Sequence, residues 1–273
     1  MDVFANVPTW GPETVAIGVV SSTDTLATYG PLDQVLPFAS VTKPLTSYAM
    51  HCVAKAGLVT FAEPVDNPYT KGEVTLTHFL SHASGLPPDK TGVVTFPERK
   101  RIYSNFGYDV AADFVAKRVG MPFADVLRTF VLEPLGMTST WLHGSAGWEA
   151  SGTVEDLMRF ATELLSPTLL DADTLAHACR EPFPGLAGVM PGFGRHDPLT
   201  WGVGFEPFAH KQPHWLDLSL PKDTFGHFGR LGGFLFVIPG HDVAAVSLSS
   251  APFDDWARVA WPPFSRAVFE TFG

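Results

Sequence analysis

Segments that read as β-strand sit at both ends of this chain, and segments that read as helix fill the middle. Thr14 to Val20 is an apolar, β-branched run, and Asp24 to Tyr29 follows it after the turn Ser21-Ser22-Thr23. Far downstream, Thr224–Gly229, Gly233–Ile238 and Val243–Ser249 read as adjacent strands, with Pro239-Gly240 turning between the last two. Between these ends the period changes to that of a helix. Val41 to Gly57 carries Leu45, Ala49, Val53 and Ala56 on one side, with Gly57 as its stop. Gly107–Val119, Pro122–Phe130 and Thr153–Leu165 follow, the last with Thr153 as N-cap and Asp156 three residues on, close to a capping box. Asp254 to Phe272 reads as a closing helix delayed by Pro262-Pro263. Strands so far apart in sequence form one sheet only if the chain ends come together. The expected layout is therefore a sheet subdomain from residues 1–60 and 200–273 and a helical subdomain from residues 61–199, in a single domain.

Two short motifs carry chemistry. Ser40-Val41-Thr42-Lys43 places a hydroxyl and an amine one helical turn apart, on one face. Pro44 is tolerated only in the first turn, so Ser40 falls at a helix N-terminus, where free N–H groups and the dipole favour a negative centre. Tyr103-Ser104-Asn105 follows downstream. With five tyrosines and three asparagines in 273 residues, chance supplies a Tyr-x-Asn only about 0.05 times. The Ser-x-x-Lys spacing alone is expected about 0.5 times by chance, so the tyrosine motif carries most of the weight. A serine nucleophile, a lysine to take its proton and a tyrosine to relay it form the machinery of acyl transfer through a covalent acyl-enzyme.

Composition excludes other classes. The net charge is −10, and Arg99-Lys100-Arg101 is the one basic run, which argues against nucleic acid. No stretch approaches a membrane span, and Met1-Asp2-Val3-Phe4 opens no secretory signal, so a cytoplasmic location is expected. Cys52 and Cys179 allow one disulfide but read as buried thiols. His78 and His82 are four apart, yet the glutamate of a His-Glu-x-x-His site is missing, so no metal is expected. The absence of Gly-x-Ser-x-Gly excludes an α/β-hydrolase elbow.

The chain resembles the serine β-lactamase and penicillin-binding-protein superfamily, in the branch of class C β-lactamases, D-Ala-D-Ala peptidases and related esterases. The matching stretches are Phe38–Lys43, Phe79-Leu80-Ser81-His82-Ala83-Ser84-Gly85-Leu86-Pro87, Tyr103–Tyr108, Leu132-Glu133-Pro134-Leu135-Gly136-Met137 and Gly226-His227-Phe228-Gly229. The resemblance implies an α/β (α+β) fold: an antiparallel sheet flanked by helices, beside an all-helical subdomain, with the site in the cleft between. It implies Ser40 as nucleophile, Lys43 as base, and Tyr103 relaying a proton once Lys43 eases its ionisation. Asn105 would orient Lys43 and donate to the substrate. His227 and Gly229 would line the cleft, and the N–H groups of Ser40 and Arg230 would form the oxyanion hole. Lys90-Thr91-Gly92 also spells the third motif, but it precedes Tyr103 and reads as a loop coincidence. The departure is Phe228, where the family carries a small hydroxylated residue that helps hold a substrate carboxylate. With that hydroxyl gone, an esterase or small-amide hydrolase is expected, acting on a small ester or amide without a cofactor. The alternatives are a β-lactamase or D-Ala-D-Ala carboxypeptidase taking a β-lactam or peptide, and a catalytically silent relative that binds a ligand.

Overall fold

The computed structural model describes residues 2–273. Strands β1 (Val15–Val20) and β2 (Thr25–Tyr29) open it, followed by the short β3 (Leu36–Pro37). A 3-10 turn over Ala39–Val41 runs into α1 (Thr42–Lys55). Next come α2 (Leu76–Leu80), α3 (Asn105–Val119) and α4 (Phe123–Leu127), the last extended by a wide turn over Arg128–Leu132. The short β4 (Trp141–Leu142) and β5 (Ala150–Gly152) join β3 in a small sheet. Helices α5 (Val154–Leu165) and α6 (Ala172–Ala178) precede the hairpin β6 (Gly188–Met190) and β7 (Gly194–His196). The chain closes with β8 (Glu206–Pro207), β9 (Phe225–Phe228), β10 (Phe234–Ile238), β11 (Val243–Ser249) and α7 (Asp255–Phe272).

The main sheet has the order β2-β1-β11-β10-β9-β8, and every pairing is antiparallel. The two chain ends meet where β1 pairs with β11, Val15 opposite Ser249. Strand alternation divides the side chains between two cores. Ala16, Val20, Phe225, Leu235, Val237, Val246 and Leu248 face the core shared with α1 and α5. Ile17, Val19, Phe228, Phe234, Phe236 and Ala245 face the core under α7. Helix α5 lies close on the first face: a Cβ on Gly18 would come within 2.4 Å of the Met158 sulfur and would push that side chain aside.

Local signals explain most boundaries. Gly57, at φ +75°, and Gly120, at φ +82°, stop α1 and α3 in the left-handed conformation that glycine adopts freely. Ala56, expected on the apolar side of α1, is exposed where the helix runs out. Thr153 caps α5 by accepting from Asp156 N–H. The cap is not reciprocal, because the buried Asp156 carboxylate accepts from Ser139 N–H and the Thr140 hydroxyl instead. Helix α7 corrects another expectation. It starts at Asp255, capped by Asp254, and carries Pro262 and Pro263 in its interior. The carbonyl that Pro263 leaves without a donor belongs to Val259, which is 75% exposed and reaches water. Among the described residues no helix is long and apolar enough to cross a membrane, and both cysteines are free.

The layer under α7 is aromatic. Trp261, 1% exposed, packs edge-on or tilted against Trp215, Phe228, Phe234, Phe253 and Trp256. Trp261→Ala should cost about 3–5 kcal/mol in urea unfolding, and a loss below 1 kcal/mol would show that this layer does not hold α7 to the sheet.

Candidate active site

Ser40 sits at the end of a forced turn. Ala39 before it holds φ +47°, a left-handed conformation that costs an L-residue about 1–2 kcal/mol. Strand β9 approaches this turn closely: a Cβ on Gly229 would lie 2.4 Å from the Phe38 carbonyl oxygen. Only glycine allows that approach, which explains the third-motif glycine in terms of packing. Ser40 is half-buried and faces a cavity of about 370 Å³.

Lys43 lies one turn further on and is fully buried. Its Nζ donates to Asn105 Oδ1 at 2.6 Å and to the Gly147 carbonyl at 2.8 Å, and it reaches Ser40 Oγ at 3.4 Å. Burial pushes its pKa down to about 7, against the opposing pull of Asp109 and Asp89. Two of the three partners are carbonyl oxygens, which only accept. In the neutral amine they take both N–H bonds, and the lone pair is left for Ser40. The loop that supplies Gly147 is itself fixed: Thr46 donates to the Ala146 carbonyl at 2.7 Å, Ser145 donates to Asp109 at 2.6 Å, and Ala150 N–H donates to Thr42 at 3.1 Å.

Helix α3 presents the second motif. Ser104 caps it by accepting from Gly107 N–H at 2.8 Å while donating to the Pro87 carbonyl. Tyr103 and Asn105 therefore flank a fixed N-terminus. The Tyr103 hydroxyl lies 3.3 Å from His227 Nε2. His227 Nδ1 is 2.7 Å from the Phe228 carbonyl, an acceptor only, so Nδ1 carries the proton and Nε2 is bare. Burial and the nearby Lys43 hold the His227 pKa down to about 4. Tyr103 thus donates to a neutral imidazole. Burial raises its own pKa well above the usual value, and contact with Ser40 opposes that rise. This differs from the expectation that Lys43 eases its ionisation: the amine lies 4.5 Å over the ring and spends its hydrogen bonds elsewhere.

The structure brings Ser40, Lys43, Tyr103, Asn105, His227, Gly229 and Arg230 to one cleft. Among the described residues the Arg230 N–H has no hydrogen-bond acceptor. Phe228 touches the cavity wall, but its ring belongs to the aromatic layer, with Phe253 at 4.8 Å and Phe193 at 5.8 Å. Trp148, Met190, Pro191, Trp201 and Leu231 give the cavity an apolar wall, and Asp89, Glu206 and Arg230 also line it. Lys90-Thr91-Gly92 lies in a loop outside any strand. His78 bonds Thr75 and Glu98, while His82 Nδ1 accepts from Ser104 N–H; among the described residues no cluster of metal-ligating side chains is found.

A buried network beside His227 carries no sequence signal. Glu206 on β8 pairs with Lys211 at 2.7 Å and with His214 at 2.9 Å, and accepts from Trp215 at 3.2 Å. Burial works against its charge, yet Lys211 and His214 hold its carboxyl well below the usual range. Neither partner is recognisable by spacing, because the network is assembled from a strand and the loop that follows it. The Gly147 carbonyl was equally illegible, being backbone.

A model of the family described as Beta-lactamase matches residues 11–268. The crystal structure of a beta-lactamase from Mycobacterium bovis superposes with a TM-score of 0.93 at 39% identity, covering 99% of each chain. Penicillin-binding protein 4* of Bacillus subtilis is 28% identical over 140 residues, 40% of this chain and 30% of that protein. The D-alanyl-D-alanine-carboxypeptidase/endopeptidase AmpH of Escherichia coli is 26% identical over 142 residues, 40% of this chain and 37% of its own. The matched stretch thus spans about a third of those two relatives.

Lys211→Met strips Glu206 of its cation while leaving the carboxylate buried. Urea unfolding at pH 7.5 should show a loss of about 3 kcal/mol. The sign with pH follows from the carboxyl: an unpaired buried Glu206 binds a proton more readily folded than unfolded, so the deficit should narrow as pH falls toward 5. A deficit that widens on acidification would contradict the assigned charge state.

Proposed function

This chain belongs to the Beta-lactamase family, and on that premise we propose that it is a serine hydrolase forming an acyl-enzyme on Ser40, with an ester or small amide of an uncharged acyl group as substrate. The observation that carries the reading is the state of Lys43. An amine at pKa about 7, held by two carbonyl oxygens with its third direction on Ser40 Oγ, fits a general base at neutral pH.

Ser40 Oγ attacks the carbonyl carbon as its proton passes to Lys43 Nζ. The developing oxyanion is met by the N–H groups of Ser40 and Arg230. The carbon–leaving-group bond then breaks, Tyr103 turns its hydroxyl from His227 to give its proton to the departing oxygen or nitrogen, and the proton on Lys43 replaces it by way of solvent in the cleft. Water repeats the attack on the acyl-enzyme and frees Ser40. Asn105 holds Lys43 through Oδ1, which leaves its amide N–H groups for the substrate. His227 keeps the phenol hydroxyl aimed by accepting from it.

The preference for an uncharged acyl group rests on Phe228 and the apolar cavity wall. A second reading, hydrolysis of β-lactams, is favoured by the 39% identity to a structure titled a beta-lactamase over nearly all of both chains.

Wild type should turn over p-nitrophenyl acetate and take one fluorophosphonate adduct by intact mass, and Ser40→Ala should do neither while unfolding at the wild-type midpoint. Labelling that survives the substitution would move the nucleophile elsewhere. Nitrocefin turnover by the same wild-type preparation, faster than the ester, would select the second reading. The pre-steady-state acylation rate should rise with pH through an inflection near 7, since only neutral Lys43 accepts the serine proton. Tyr103, raised well above 10, adds no alkaline limb below that pH. A profile flat from pH 5 to 9 would remove Lys43 from the role of base.

A further inference from the structure

Lys211 is a buried cation that the steps above do not use. Its side chain is 1% exposed, as is that of Glu206, its partner at 2.7 Å. Glu206 sits on β8 opposite Gly226, the residue before His227, and Glu206 and His227 both line the cavity that holds Ser40. The ion pair therefore stands beside the imidazole that meets Tyr103.

The other groups on Glu206 supply hydrogen bonds and no charge. Trp215 donates its Nε1–H at 3.2 Å. His214 reaches the carboxylate through Nε2 at 2.9 Å, while its Nδ1 accepts from Leu216 N–H at 3.1 Å. A ring that accepts at Nδ1 carries its one proton at Nε2, so His214 is a neutral donor. Among the described residues Lys211 is thus the one cation within ion-pair distance of Glu206. Its Nζ also lies 5.5 Å over the Trp201 ring, and Trp201 meets Tyr103 and His227 edge-on at 5.7 and 5.6 Å.

The groups that face His227 pull in opposite directions. Lys43 on α1 and Lys211 in the loop after β8 favour the neutral ring, as burial does, and Glu206 favours the protonated one. Tyr103 meets it as a neutral phenol, and His82 nearby is held neutral by burial. Arg101 and Glu181, close to Lys211, are a pair of their own at 2.7 Å. Without Lys211 the Glu206 carboxylate would stand uncompensated beside a ring whose Nε2 is bare. A protonated His227 would donate at Nε2 and no longer accept from Tyr103.

We propose that Lys211 is a positioning residue of the proton relay: by compensating Glu206 it keeps His227 an acceptor at Nε2, and so keeps the Tyr103 hydroxyl aimed. Its part in turnover rests on the hydrolase reading above; the state of His227 does not.

Nitrogen-15 NMR of histidine-labelled protein reads the ring directly, with His227→Gln assigning its signals. Wild-type His227 should stay singly protonated down to pH 5. In Lys211→Met its titration should move up by about two pH units. Glu206→Gln/Lys211→Met removes both charges and should restore the wild-type state. Lys211→Gln, whose amide can still donate to Glu206, carries the same test should the methionine variant fail to fold. Kinetics separate aiming from general damage, because ethanol needs a proton to leave and p-nitrophenolate does not. At pH 6 the Lys211 variant should lose about fivefold in kcat/KM for ethyl acetate relative to p-nitrophenyl acetate, and regain it by pH 8.5. A His227 that stays neutral in a folded Lys211 variant, with the proton on Glu206 or on the nearby His196 instead, overturns the proposal. So does an equal loss on both esters at every pH. Failure of the hydrolase reading looks different: wild type cleaves neither ester, while the NMR titration still decides whether Lys211 sets the state of His227.

Discussion

Everything in the cleft is arranged around one amine that has lost its water. A buried lysine is costly unless its bonds are replaced, and Lys43 gets its replacements from the turn just before it at Ser40 and from two distant parts of the chain, the start of α3 at Asn105 and the loop at Gly147. Each of these has its own tether, Gly229 against Phe38, the Ser104 cap, and Thr46 on Ala146. The burial that makes the amine expensive also brings its pKa to about 7. The cost of the amine and its lowered pKa are thus set by the same exclusion of solvent.

The neighbouring groups respond to that charge. His227 and His82 are both buried near Lys43, and both are pushed toward the neutral imidazole by burial and by that amine. A neutral His227 with its Nδ1 proton fixed on a carbonyl can only accept at Nε2, which dictates the direction of the Tyr103 hydroxyl. Behind it, Glu206 and Lys211 neutralise each other within hydrogen-bond distance. They hold β8 and its following loop together at the back of the cleft and leave the imidazole as the polar group facing Tyr103.

Much of this was legible in the sequence because the signals were local. The strands at both ends, the glycine stop of α1 and the Thr153 cap follow from periodicity and turn chemistry. The Ser40–Lys43 and Tyr103–Asn105 motifs are likewise short-range patterns, and the fold carries them to one cleft. What could not be read depends on long-range placement. The Gly147 carbonyl is invisible to any residue pattern. The partner of Tyr103 depends on a tautomer, and the tautomer depends on a carbonyl one residue along β9. The closing helix ran through its two prolines because an exposed turn can solvate a lost acceptor, a fact about burial that composition does not carry.

The ring of Phe228 ties two otherwise separate properties to one position. On one side it borders the cavity; on the other it is a member of the aromatic layer that seats α7 and, through Phe193, the hairpin wall. Exchanging it for a threonine would put a hydroxyl at the edge of the cavity while hollowing the layer at a cost of a few kcal/mol. The residue at this edge of the cavity is thus held by the core as much as by the cleft.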